Sequence, residues 1–227
     1  MKAALIMMMV LIAASVPAAS AEGKHAELDG VWILLQSHVE SPQLTPEGAK
    51  KRAAYDYQKD DPDFQCKPAS IERIMHTPSP PIEIRQHVDH IELNYEFMDV
   101  RRRVPLKKGL APKDAPYSVK KHPHLGKSVA HYDGEKLVIE TVGVKAGVLD
   151  TLGAPGLYQS DKMHTVEEYT PNGDKMHVVI TLEDPVYFVQ PLKVTYDHLR
   201  LPAGKIMEWN CKPEEATFER FSSPPQR

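Results

Sequence analysis

The sequence predicts a mainly β protein: a single antiparallel barrel with one helix near its start and long loops. Three observations carry this reading. Short runs alternate polar and apolar residues with period two. Turn signals separate them at Val88-Asp89, Asp133-Gly134, Pro171-Asn172-Gly173-Asp174 and Pro202-Ala203-Gly204. No linker interrupts the strand series, which favours one closed barrel over two domains. The competing architecture is a helix-backed curved sheet, which needs two or three amphipathic helices near the start, where one is read. Twelve Gly and twenty Pro among 227 residues fit a loop-rich fold.

The first 21 residues read as a secretory signal. Lys2 is followed by an apolar run over residues 3–16 and by Ala19-Ser20-Ala21, a small-x-small site that places cleavage before Glu22. That run is too short to span a bilayer, and no other stretch approaches the roughly 20 apolar residues required. The expected product is a barrel domain over residues 22–213 with a flexible polar tail at 214–227. It is soluble and periplasmic or secreted. Of the 28 Lys and Arg only Lys2 leaves with the signal, so 27 cations face 31 acids. A near-neutral balance argues against nucleic acid as partner.

Residues 31–35 (Val31-Trp32-Ile33-Leu34-Leu35) read as a buried first strand. Gly30-Val31-Trp32 is a Gly-x-Trp pattern, which in calycin-type barrels lets an aromatic plug the closed end. Thr45-Pro46-Glu47 is a helix start, with Thr as N-cap and Pro at the first helical position, and the helix is expected to reach residue 58. Residues 82–86 and 91–97 alternate and form a hairpin, which residues 100–106 extend. Residues 107–127 form a long loop containing Pro112, Pro116 and Pro123. Residues 128–132 and 136–141 flank Asp133-Gly134. Residues 144–157 read as loop. Residues 163–169 and 176–183 form another hairpin, and residues 192–198 and 206–211 a further one.

The stretch from Ser128-Val129-Ala130-His131-Tyr132-Asp133-Gly134 through Leu137-Val138-Ile139-Glu140-Thr141 to Gly143 resembles a signature of exported bacterial proteins of poorly defined function. That signature reads roughly Ser-Ile-Gly-His-Trp-Glu-Gly-Asp-Thr-Leu-Val-Val-Asp-Thr-x-Gly. Leu44-Thr45-Pro46-Glu47-Gly48, Cys66-Lys67-Pro68 through Arg73-Ile74-Met75, and Glu208-Trp209-Asn210-Cys211 are similar to other segments of the group, in order. Ala130 and Tyr132 replace its usual Gly and Trp. The resemblance implies a calycin-like barrel and a Cys66–Cys211 pair; it brings no established reaction. On the residues alone, two Cys in an exported chain persist as one disulfide, with a nucleophilic Cys66 beside Lys67 as the alternative.

Candidate chemistry follows from these strands. His131, in the signature stretch, and His164, on another hairpin, are candidate catalytic groups expected to converge in the barrel, with Glu96 as a buried carboxylate partner if it faces inward. Arg101-Arg102-Arg103 follows the strongest strand, and the resemblance singles out Arg102 of the three as the candidate anion holder. Tyr95, Trp32 and Tyr132 are candidate ligand contacts. His87/His90 and His122/His124 are histidine clusters in turns or loops without accompanying Cys or well-spaced Glu, so no metal is assigned, and no other cofactor motif is present. The leading expectation is a cavity holding a small apolar or aromatic molecule, with cofactor-free isomerase, lyase or hydratase chemistry allowed by the inventory. The alternatives are a non-catalytic carrier and an envelope interaction module. The oligomeric state stays open.

Overall fold

The computed structural model describes residues 27–76, 80–149 and 154–213. The segments read from the sequence as a signal (residues 1–21) and as a flexible tail (residues 214–227) lie outside the described residues.

Alternation builds the strands. β1 (Gly30–Val39), β2 (Ile82–Gln86), β3 (His90–Tyr95), β4 (Arg101–Pro105), β5 (Lys127–Asp133), β6 (Lys136–Val142), β9 (His164–Asn172), β10 (Lys175–Glu183) and β11 (Leu192–Leu201) form one nine-stranded sheet. Its order is β4-β3-β2-β1-β11-β10-β9-β6-β5, and every ladder is antiparallel. β7 (Gly147–Val148) and β8 (Tyr158–Gln159) pair separately within the stretch read as loop. Each long strand turns one set of alternate side chains onto a common core, as with Val178, Ile180 and Leu182 of β10. The sheet curls into a nearly closed antiparallel barrel, with β1 and β11 joining the two ends of the described chain.

The barrel's gap falls mid-sequence, between β4 and β5. The long loop laces it. The Arg103 amide donates to the Ser118 carbonyl at 2.8 Å and the Lys107 amide to the Ala130 carbonyl at 2.9 Å, while Tyr117 bridges to Lys127. Pro105 ends β4 at this open edge, where a missing N–H costs no ladder bond.

Trp32 of the Gly-x-Trp pattern is anchored at the start of β1. Trp32 is fully buried, its indole N–H donates to the Leu28 carbonyl at 2.9 Å, and the Arg200 guanidinium stacks 4.2 Å from the ring centroid. Gly30 has φ +132°, and Arg200 occupies the space a Cβ would need.

The helices depart from expectation. α1 covers Pro46–Ala53, with the Thr45 side chain accepting from the Gly48 amide as the N-cap. It stops short of residue 58 because only Gly48 on it is buried, so no apolar stripe sustains it, and because Asp56 turns extended and caps a separate four-residue helix, α2 (Tyr57–Asp60). A third helix, α3 (Ile71–His76), lies where the sequence predicts none. Ser70 Oγ accepts from the Arg73 amide at its start, and Ile71, Ile74 and Met75 enter the core. Although there are three helices, all are short, and the nine strands curl into a nearly closed barrel rather than the helix-backed curved sheet.

The expected hairpin over 192–198 and 206–211 is half right. β11 already has β1 and β10 as neighbours, so no edge remains for a further strand. Residues 206–211 cross the barrel as irregular chain instead, held by Glu96 and Asp99 and by the Cys66–Cys211 disulfide, whose Cα atoms lie 5.7 Å apart. Both cysteines are bridged, so the nucleophilic Cys66 alternative falls.

Candidate functional site

Strand parity decides which polar groups enter the barrel. On β4 the inward set is Arg102 and Val104; on β5 Ser128 and Ala130; on β6 Leu137, Ile139 and Thr141; on β9 Thr165, Glu167 and Tyr169. Arg102 and Glu167 thus meet across the interior, both fully buried. The guanidinium clasps the carboxylate in a two-pronged contact, Nη1 to Oε2 at 2.9 Å and Nη2 to Oε1 at 2.7 Å. Tyr169 donates to Glu167 at 2.7 Å, Arg102 Nη1 donates to the Tyr95 hydroxyl at 3.2 Å, and Nη2 reaches Ser128 Oγ at 3.4 Å. Burial opposes the Arg102 charge, yet Glu167 more than restores it, so the guanidinium stays protonated. Burial, then the Glu167 charge, pushes the Tyr169 hydroxyl far up, so it remains a donor.

Arg102 does hold an anion, but that anion is the protein's own Glu167. Tyr95 belongs to the same cluster. Sequence reasoning missed Glu167, because it adjoins Glu168 and paired acids read as a solvated face; the signal was its shared parity with Tyr169.

The catalytic trio does not converge. His131 and His164 sit on the outward parity of β5 and β9, half-buried, away from the inward set. His164 lies 3.1 Å from Glu183 and 3.4 Å from Glu140, both surface acids. Glu96 falls past the end of β3, in the turn after it, and accepts the Met207 amide at 2.8 Å. The one-residue offset between Ala130 and His131 accounts for the error. Tyr132 is inward at the strand end and half-buried, its hydroxyl accepting from Gln86 Nε2 at 2.6 Å. Trp32 packs into the main core and lines no described cavity.

A second buried cluster joins α3 to the barrel wall. Glu72 takes a hydrogen bond from the Tyr196 hydroxyl and lies 3.1 Å from His76 Nδ1. Beyond Tyr196, on the same parity, His198 is 1% exposed, and neither ring nitrogen has a hydrogen-bond partner. Burial pushes its pKa down to about 4, with Asp197 opposing only weakly. The unfolded ring titrates near about 6.5. Above that pH both states are neutral and His198 contributes nothing. Between 6.5 and 4 the unfolded chain takes up a proton that the folded chain refuses, so stability falls as pH falls, by up to about 3 kcal/mol. The drop in thermal midpoint from pH 7 to pH 4.5 is therefore expected to be smaller in His198→Met than in wild type. Identical pH dependence would refute this assignment.

Outside the barrel, the seam creates a groove. The outward residues of β4 face the 116–122 segment across a cavity of about 430 Å³. Pro105, Tyr117 and Val119 supply apolar wall, and Ser118 lies in the floor, its hydroxyl donating to Ser128 Oγ at 3.1 Å. Arg101, Arg103, Lys120 and Lys121 face only Asp89 and Asp99, a local charge of +2 with histidines neutral, in a chain of net −3. Arg101 and Asp99 approach at 3.6 Å, whereas Lys120 and Lys121 have no ion partner among the described residues. Burial, then the charges of His124 and Lys121, pushes the His122 pKa down. In the sequence Arg101, Arg102 and Arg103 form one basic run. Parity sends Arg102 in and the other two to the groove.

Fold and site together define a nearly closed antiparallel β-barrel with a buried Arg102–Glu167 ion pair, whose Arg102 Nε alone has no hydrogen-bond partner, and a cationic groove at its seam. No protein-family model matches the chain, and no curated protein matches it. Solved structures similar to it include the fluorescent protein UnaG, at 17% identity and TM-score 0.37 over 76% of this chain and 96% of that one. Others are the REP1-NXSQ fatty acid transporter, at 15% identity and TM-score 0.38 over 78% and 98%, and lipid binding protein 8 of Caenorhabditis elegans, at 12% and 0.37 over 76% and 94%.

Proposed function

We propose that the protein is an exported, non-catalytic carrier of small organic anions with an apolar body, held in the seam groove between β4 and the 116–122 segment. The observation that carries this is the pairing of a cavity of about 430 Å³ with uncompensated cations on an apolar wall. A volume of this order fits a small organic ligand, and a few polar groups in an apolar pocket set orientation. A carboxylate or sulfonate would take Arg103 by its two-pronged face, with Lys120 and Lys121 adding attraction. The carrier reading is favoured over the acid/base one because His131, His164 and Glu96 stand apart and the buried carboxylate Glu167 is spent on Arg102 and Tyr169. Export is read from the N-terminal signal pattern and agrees with a disulfide, which persists in oxidising compartments. Among the described residues no helix is long and apolar enough to cross a membrane.

The test is binding of a fluorescent naphthalene sulfonate against its uncharged parent. The sulfonate is expected to bind more tightly, and raising salt to weaken it. Arg103→Glu and Lys120→Glu should each cost at least tenfold in Kd while leaving the thermal midpoint within about 2 °C, since both are exposed. Equal affinity for charged and uncharged probes, or indifference to both substitutions, would remove the proposal.

A further inference from the structure

The hairpin between β2 and β3 carries a group of residues the groove does not explain. His87 and His90 flank the two-residue turn at Val88-Asp89, closed by the His87 amide donating to the His90 carbonyl at 2.9 Å. As cross-strand partners they share a face, and their rings stack with centroids 4.2 Å apart. Glu92, two residues beyond His90, shares that outward face. Both Nε2 atoms address the same carboxylate: His87 lies 3.5 Å from Oε2 and His90 3.4 Å from Oε1.

We propose that His87 Nε2, His90 Nε2 and Glu92 form a site for one divalent transition-metal ion of the zinc class, with the fourth position open. Two imidazoles and one carboxylate are a donor set that suits zinc, and three protein ligands with an open position is its common exchangeable arrangement. Bonds of about 2.0–2.1 Å in a tetrahedron separate donors by roughly 3.3–3.4 Å, close to the two distances here. The donor atoms of all three residues lie within 4.8 Å of one another.

A second, independent observation is the setting of His90. Its Nδ1 lies 2.6 Å from Asp89 Oδ1, the carboxylate-to-imidazole contact that fixes a metal-binding histidine's tautomer, and this contact is far closer than the 3.4 Å separating the same nitrogen from Arg103 Nη2. With the Nδ1 proton given to Asp89, Nε2 presents its lone pair to the Glu92 oxygen, a contact that a cation between them turns from repulsive to attractive. The His90 side chain is largely buried and so pre-set, while the His87 side chain is 41% exposed, which leaves space for its ring to turn out of the stack. That rotation is required, because parallel stacked rings cannot both aim at one ion. His90 also borders the seam groove, so the open position faces the same side of the barrel, but the metal site stands whether or not the groove takes an anion.

The experiment uses tag-free protein stripped with a chelator, then titrated with Zn²⁺ in competition with a chromophoric chelator. One equivalent should bind at micromolar or tighter Kd. His90→Ala and Glu92→Gln should each weaken it at least 100-fold, and Asp89→Asn by 10- to 100-fold, the range for outer partners of metal-bound histidine. His177→Ala, on the far outer wall, should change nothing. The unsubstituted protein provides a readout free of folding effects: in ¹⁵N spectra of the imidazoles, Zn²⁺ should move the Nε2 signals of two histidines only. No binding at micromolar Zn²⁺, or one equivalent that survives both His90→Ala and Glu92→Gln, would overturn the proposal.

Discussion

Replacing Arg102 with Met is expected to cost about 3–5 kcal/mol, because it strands the Glu167 carboxylate in the barrel interior with no cation. For a chain of this size that corresponds to a fall in thermal midpoint of roughly 6–20 °C. Glu167→Leu alone should be comparably damaging, since it leaves the guanidinium buried and unpaired. The double variant removes both charges, so it is expected to be more stable than either single one. Recovery will be incomplete. The Tyr169 hydroxyl loses its acceptor and the Tyr95 hydroxyl its donor, at about 1–3 kcal/mol for each buried group left unpaired. The loss in Arg102→Met should persist in high salt, because solvent ions do not screen a pair that water does not reach. Thermal melts of the four proteins make the cycle. A single variant as stable as wild type, or a double variant worse than both singles, would show that the pair does not carry this energy.

The Cys66–Cys211 bridge is the second large effect. It closes a loop of 145 residues, and on the chain-entropy model removing it frees the unfolded chain by about 5 kcal/mol, less whatever the native state gains by relaxing. The bridge joins the approach to α3 to the irregular C-terminal segment, and both cysteines pack against the main core. The Cys66→Ser/Cys211→Ser variant is therefore expected to melt roughly 8–16 °C lower. The bonds from Glu96 to the Met207 amide and from Asp99 to the Trp209 amide remain, and Trp209 still packs edge-on against Phe97 at 5.0 Å. Those contacts are local, so they limit fraying of the segment without restoring the long-range constraint. A midpoint shift under 2 °C would mean that they alone hold the segment, and the entropic account would be wrong.

Much of the barrel was legible in the residues. The hairpins that turn at Val88-Asp89, Gly134-Glu135 and Gly173-Asp174 are local events: a turn residue tolerant of its backbone angles sits between two alternating runs, and each run needs only its own neighbours to be recognised. The last two turns fall one residue beyond the Asp133-Gly134 and Asn172-Gly173 signals, with Gly134 and Gly173 at positive φ. The Thr45 cap and the buried Trp32 were readable for the same reason, as was the disulfide, which an even count and an oxidising destination suggest. What the local pattern could not supply was the face each alternating set turns to the axis. In β5 both Ala130 and His131 are chemically acceptable inside, and only closure of the whole sheet puts Ala130 there and His131 out. In β9 one parity carries apolar Val166 between His164 and Glu168 and the other carries Glu167 beside Tyr169, so the strand alone does not choose between them. Arg102, 65 residues away, makes the second acceptable inside, because two charges that neutralise each other can enter together where neither could alone. The groove has the same origin. Arg101, Arg102 and Arg103 are three identical letters until the β4–β5 gap gives their two faces different surroundings. Period-two alternation is a property of one strand, whereas the sign of its phase belongs to the closed barrel, and only the tertiary structure decides it.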